Sequence, residues 1–145
     1  MPSLYAMSSA GTVFLGDANR KGTIYVRNDG CSDNTLSVTP IPAMANTYAS
    51  SDAVGDFKSA SLYVGDCARV RMTESLRMLT LTLEADTVVD LGGKTLTVYA
   101  AKLGDTKLKV GTYAADNEAV AGFVSDSVGG GSLVVKGYGM KLILR

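Results

Sequence analysis

The sequence predicts an all-β fold, and three observations carry that prediction. Glycine (16), valine (15), threonine (13) and serine (13) are plentiful among the 145 residues, while glutamate occurs 3 times against 11 aspartates. Val and Thr favour a pleated surface, and Gly, Asp and Ser favour turns. Apolar or alternating runs recur about every ten residues, as short strands between tight turns do. Stretches rich in Glu, Lys and Gln, which favour helix, are missing.

The runs follow in order. Thr12-Val13-Phe14-Leu15 ends at Gly16-Asp17. Thr23-Ile24-Tyr25-Val26-Arg27 ends at Asn28-Asp29-Gly30, a strong turn signal. Thr35-Leu36-Ser37-Val38-Thr39 alternates and meets Pro40 and Pro42, which are expected to stop a strand. Residues 43–60 are small and polar and read as a long loop with at most one short helical turn. Ser61-Leu62-Tyr63-Val64 ends at Gly65-Asp66. Ala68-Arg69-Val70-Arg71-Met72 alternates, as does the run from Leu76 to Leu83. Thr87-Val88-Val89-Asp90-Leu91 turns at Gly92-Gly93 into Lys94-Thr95-Leu96-Thr97-Val98-Tyr99. Lys107-Leu108-Lys109-Val110 and Val120-Ala121-Gly122-Phe123-Val124 follow. Helical spacing over 114–124 is interrupted by Gly122 and flanking turn residues, which allows a turn or two at most. A triple glycine, Gly129, Gly130 and Gly131, precedes Ser132-Leu133-Val134-Val135, and the chain ends Leu142-Ile143-Leu144-Arg145.

Leu36, Leu62 and Val88 lie 26 residues apart. The runs beginning at Leu81 and Lys107 repeat that interval, with Leu133-Val134-Val135 about 25 residues further on. Such a period predicts a solenoid whose turns stack on one another. A β-sandwich with evenly spaced strands is the alternative. A chain of this length fits one domain, 1–145. It reads as an irregular β-rich part over 1–60 and a β-helix-like part over 61–145.

Residues 80–135 resemble right-handed parallel β-helix proteins of the pectin-lyase-like and autotransporter-passenger type. The stretch from Leu81 to Val98, with its Gly92-Gly93 corner, resembles one turn of such a helix. Val110-Gly111-Thr112-Tyr113, Gly122-Phe123-Val124 and Gly129 to Val135 resemble the closing segment of autotransporter-like bacterial surface proteins. The resemblance implies a short right-handed parallel β-helix in the second half and a place outside the cell or on its surface. Independently of that likeness, Leu81, Leu83, Val89, Leu91, Leu96 and Val98 alternate as inward residues of stacked strands would. Thr80, Thr82, Thr95 and Thr97 then form an outward threonine face. Gly92 and Gly93, like Gly129, Gly130 and Gly131, supply the backbone freedom of sharp corners.

The chemistry available is narrow. Fourteen Lys+Arg balance 14 Asp+Glu, and histidine and tryptophan are absent. A balanced charge gives no global field toward nucleic acid. The missing histidine removes the commonest general base and metal ligand. No apolar run reaches the length of a membrane helix. The lyase branch of the resembling family uses aspartates for Ca²⁺ and an arginine base, and Asp66, Asp86 and Asp90 with Arg69, Arg71 and Arg77 supply those residue types. Each of those aspartates also sits where turns place Asp anyway. No Gly-x-Ser-x-Gly occurs, and Gly129 to Gly131 lack the Gly-Lys-Ser/Thr of a phosphate loop. Asp29 and Asp33 lack the rest of a calcium loop. No catalytic residue, metal or cofactor is expected, and the chain reads as no enzyme.

Cys31 and Cys67 are either a disulfide or two unpaired thiols. Bonded, they would close a loop of about 36 residues and contribute roughly 3–4 kcal/mol in the loop-entropy model. The N-terminus shows no signal-peptide pattern. Arg69 and Arg71 share one strand face, as do Lys107 and Lys109. Seven tyrosines are scattered along the sequence without an evident stacking platform. The expected role is a non-enzymatic structural module of a bacterial secreted or cell-surface protein that self-associates as a homo-oligomer or with other β-rich chains. A subunit of a virus particle or extracellular filament is one alternative, with Leu142, Ile143 and Leu144 as the assembly edge. A surface-glycan-binding module is another.

Overall fold

The computed structural model describes residues 11–16, 21–28, 38–41 and 59–138. Three sheets build the fold. The first contains, in spatial order, β1 (Gly11–Gly16), β2 (Gly22–Arg27), β4 (Ala60–Gly65), β7 (Thr80–Leu83), β10 (Ala100–Leu103) and β11 (Thr106–Lys107). The second contains β3 (Thr39–Ile41), β5 (Arg69–Met72), β8 (Val88–Asp90) and β13 (Val124–Ser125). The third contains β6 (Leu76–Arg77), β9 (Thr95–Val98), β14 (Ser132–Val135) and β12 (Gly111–Tyr113). Pairing is parallel throughout the second sheet and between successive members of β2, β4, β7 and β10 and of β6, β9 and β14. Antiparallel β1, β11 and β12 sit at sheet edges.

From β4 onward the chain visits the three sheets in turn: β4, β5, β6, then β7, β8, β9, then β10, β13, β14. Leu62 pairs with Leu81 and Leu81 with Ala101. Val70 pairs with Val89 and Leu76 with Leu96. Stacked neighbours in these layers are therefore 19 or 20 residues apart, by subtraction of the paired numbers. The 26-residue interval is not the structural repeat. Leu62 lies in the first sheet and Val88 in the second, and Val88 pairs with Arg69. In the last layer Val89 pairs with Val124, 35 residues on, because 104–123 leave the stack and place β11 and β12 across the edges of two sheets.

Alternation sends one side of the stacked parallel strands inward. Ile24, Leu62, Leu81 and Ala101 form one buried column and Val26, Val64, Leu83 and Leu103 another. Val70, Val89 and Val124 line the second sheet, and Leu76, Leu96 and Leu133 the third. Each such side chain contributes roughly 1.5–3 kcal/mol by leaving water. The expected inward set, Leu81, Leu83, Val89, Leu91, Leu96 and Val98, is buried in full.

Three local expectations change. The run from Leu76 to Leu83 is two strands, because its inward phase slips from Leu76 and Met78 to Leu81 and Leu83 at a corner. Pro40 lies within β3 rather than ending a strand. Among the described residues β3 is the edge of its sheet, so Pro40's missing N–H need cost no ladder bond. Ala60, placed in a loop over 43–60, opens β4, while residues 42–58 lie outside the described set. The segment 114–124 holds one 3-10 turn, Glu118–Val120, capped by Asn117 Oδ1 accepting from the Ala119 N–H.

Candidate functional site: a carboxylate-pinned corner and a basic tyrosine ridge

The corner after β8 is built from turn chemistry. Gly92 and Gly93 both adopt left-handed backbone, at φ 56° and 77°. Their N–H groups then point at carboxylates of two different layers. Asp90 Oδ1 accepts from the N–H of Gly92 and of Ser127, both at 2.9 Å, and Asp90 Oδ2 accepts from Arg71 Nε at 2.9 Å. Asp126 Oδ1 accepts from the N–H of Gly93 at 2.8 Å, Val128 at 3.2 Å and Gly129 at 2.8 Å, and its Oδ2 accepts from Gly131 at 2.7 Å. Two carboxylates thus tie three successive layers together.

Burial opposes the charge on Asp90, but donation from the Ser127 N–H and hydroxyl, from Arg71 and from the Gly92 N–H outweighs it and lowers the pKa to about 2. Asp126 behaves alike: desolvation raises its pKa, and the N–H groups of Gly129, Gly131, Gly93 and Val128 lower it overall. The N–H groups of Gly129 and Gly131, which a phosphate loop would offer to a ligand, are turned onto the chain's own Asp126. Gly129 and Gly130 both adopt left-handed backbone, at φ 97° and 83°. Gly131 is required by close approach instead, since a Cβ there would lie 2.7 Å from the Lys94 carbonyl oxygen.

The arginine and aspartate set considered for lyase chemistry is not one site. Asp66 pairs with Arg27 at 2.9 Å and Asp90 with Arg71 at 2.9 Å. Asp86 occupies an exposed left-handed turn position. Arg69 and Arg71 do share the outward side of β5. Among the described residues no group of three His, Cys, Asp or Glu is placed to hold a metal ion. The four outward threonines divide between two sheets, Thr80 and Thr82 on β7 and Thr95 and Thr97 on β9, and so form no single face. Cys67 is half-buried at a corner. Cys31, the other half of the alternative disulfide, lies with Asp29, Asp33 and the Leu142-Ile143-Leu144 tail outside the described residues. No helix among the described residues is long and apolar enough to cross a membrane.

Sequence reasoning found no tyrosine platform, yet stacking creates two tyrosine pairs. Tyr25 and Tyr63 are register partners on β2 and β4 with ring centroids 5.5 Å apart. Tyr99 and Tyr138 follow β9 and β14 and stack at 5.7 Å with 12° between their planes. The second pair stands at the corner between the third and first sheets, held by Tyr99 N–H donating to the Leu79 carbonyl and Gly137 N–H donating to the Tyr99 carbonyl. Both rings remain well exposed, 41% and 62%. The only sequence signal was that each tyrosine follows a strand of similar Ser/Thr-Leu-x-Val pattern.

Comparison with known protein families, with curated proteins and with solved structures finds no match.

Proposed function

We propose that the chain is a short parallel β-helix serving as a non-catalytic, self-associating structural module of a bacterial secreted or cell-surface protein. One observation carries the reading: successive layers pair in parallel at 19- and 20-residue offsets while the chain passes through three sheets in turn. β-Sandwiches pair antiparallel strands by Greek-key links, which is a different register logic. The lack of catalysis is supported by what Asp90 and Asp126 do, since both hold backbone and neither is presented to a substrate. Self-association is supported by β1, a six-residue strand without charge or proline that is a sheet edge among the described residues, with Leu15 61% exposed. Such edges invite pairing with another chain.

The test removes residues 62–80, one layer, so that Leu81 takes the place of Leu62. In a solenoid each layer contacts only its neighbours, so the shortened chain is expected to keep a cooperative melt and a β-type circular dichroism spectrum. Loss of folding overturns the β-helix. Light scattering on the intact chain is expected to give a mass at or above twice 15.1 kDa, falling in Leu15→Lys. A monomer at every concentration overturns self-association.

A further inference from the structure

Tyr99 separates two grooves. Arg77, Thr97 and Lys136 line one of about 270 Å³. Lys102, Lys107 and Val110 line the other, of about 330 Å³. Tyr99 lines both, and among the described residues no Asp or Glu lines either. All four cations are exposed. The described ion pairs, Arg27–Asp66 and Arg71–Asp90, use none of them. A chain with 14 positive and 14 negative residues thereby gathers four of its positive ones along one ridge topped by stacked, exposed rings.

We infer that this ridge binds an anionic polysaccharide, laid across Tyr99 with its sulfate or carboxylate groups on the cations at either side. The chemistry fits each part. A sugar ring has an apolar face that packs on a tyrosine ring, and a tyrosine hydroxyl serves the sugar's hydroxyls. Lysine and arginine make charge-assisted hydrogen bonds to sulfate and carboxylate oxygens. Two open grooves joined by one side chain suit a chain-like ligand rather than a small enclosed one. A second copy of this protein also carries zero net charge. Nucleic acid draws most of its affinity from a broad positive field, which a balanced chain lacks.

Full-length protein titrated with heparin (sulfated) and alginate (carboxylated), followed by tyrosine fluorescence, tests the inference. Binding to one or both is expected, and which polymer binds more tightly names the acidic group. Affinity is expected to fall as salt rises. Arg77→Ala with Lys136→Ala, and separately Lys102→Ala with Lys107→Ala, are expected to weaken binding about tenfold or more, equivalent to roughly 1.4 kcal/mol. Tyr99→Ala is expected to act likewise, while Lys94→Ala, an exposed lysine lining neither groove, leaves binding unchanged. The four cation substitutions are on exposed side chains, so the result stands even if Tyr99→Ala loosens the corner. Absence of binding to both polymers, equal affinity for neutral dextran, tighter binding to a single-stranded oligothymidylate, or equal loss in Lys94→Ala each overturns the inference.

Discussion

Two corners of this molecule have nearly the same backbone and very different sequences. Gly65-Asp66-Cys67-Ala68 and Leu91-Gly92-Gly93-Lys94 each put both central residues in the left-handed region, at φ 52° and 59° in the first and 56° and 77° in the second. Each is closed by the fourth residue's N–H donating to the first residue's carbonyl, at 3.1 Å and 2.9 Å. Dihedral angles alone would ask for glycine in both. What differs is the neighbouring layer. A Cβ on Gly92 would lie 2.9 Å from the Met72 carbonyl oxygen, and one on Gly93 would lie 3.1 Å from Val128 Cγ1. Asp66 instead reaches out to Arg27, whose side chain is 56% exposed. Left-handed geometry is held by Asp and Cys at the first corner, which is open to one side among the described residues. Glycine is required where layers close on it from both.

The largest expected effect strikes the closed corner. Asp126→Ala removes the acceptor of four backbone N–H groups. Those of Val128 and Gly129 are exposed and regain water, while those of Gly93 and Gly131 are partly buried. At about 1–2 kcal/mol for each of the latter, the loss is about 3 kcal/mol. It is read as a lower urea midpoint at unchanged slope. A shift below about 0.5 kcal/mol would mean that steric closure, and not the carboxylate, holds the corner.

Acid gives a reversible way to loosen the same corner. Asp90 titrates at about 2 in the folded chain against an ordinary 3.8. A depressed folded pKa means that its stabilisation is fully present above the unfolded value and is lost as pH falls from about 4 toward 2. The difference amounts to about 2 kcal/mol. The Asp90 side chain is only 10% exposed, so solvent screening takes little from that figure. Asp90→Asn is expected to cost about the same at neutral pH and to flatten the stability profile between pH 4 and 2. An unchanged acid slope in Asp90→Asn would transfer the effect to Asp126, whose pKa is lowered in the same sense.

How far the sequence could be read follows from the same contrast. Alternation is local, so Leu81, Leu83, Leu96 and Val98 announce their inward side directly, and Gly92-Gly93 announces a corner. The repeat is not local. Two layers are spaced by 19 or 20 residues, but the excursion over 104–123 stretches the next offset to 35 in the second sheet, where Val89 meets Val124. A 26-residue interval that takes Leu62 of the first sheet to Val88 of the second then looks more regular than the true one. The same excursion hides the ridge, because Tyr99 and Tyr138 stack only once β14 has been brought onto β9. Asp126 reads in sequence as one turn aspartate among eleven. Its four donors come from its own loop and from Gly93 of the layer beneath, a neighbour known only when the layers are stacked.

The smallest expected effect belongs to the open corner and has a sign that depends on redox state. Cys67 holds φ 59° with a Cβ, a conformation that costs a non-glycine residue about 1 kcal/mol. Cys67→Gly relieves that strain but returns some entropy to the unfolded chain, leaving an expected gain of about 0.5 kcal/mol in reducing buffer. If instead Cys67→Gly destabilises under reduction, packing of the half-buried thiol outweighs backbone strain, and the two corners are less alike than their dihedrals. Repeating the melt without reductant asks about Cys31. A Cys31–Cys67 disulfide would hold the open corner through the unfolded state, and its loss in Cys67→Gly would reverse the gain into a deficit of roughly 3 kcal/mol. Equal results in both buffers mean that the open corner is kept by the Asp66–Arg27 pair and its own turn bond, with no covalent help.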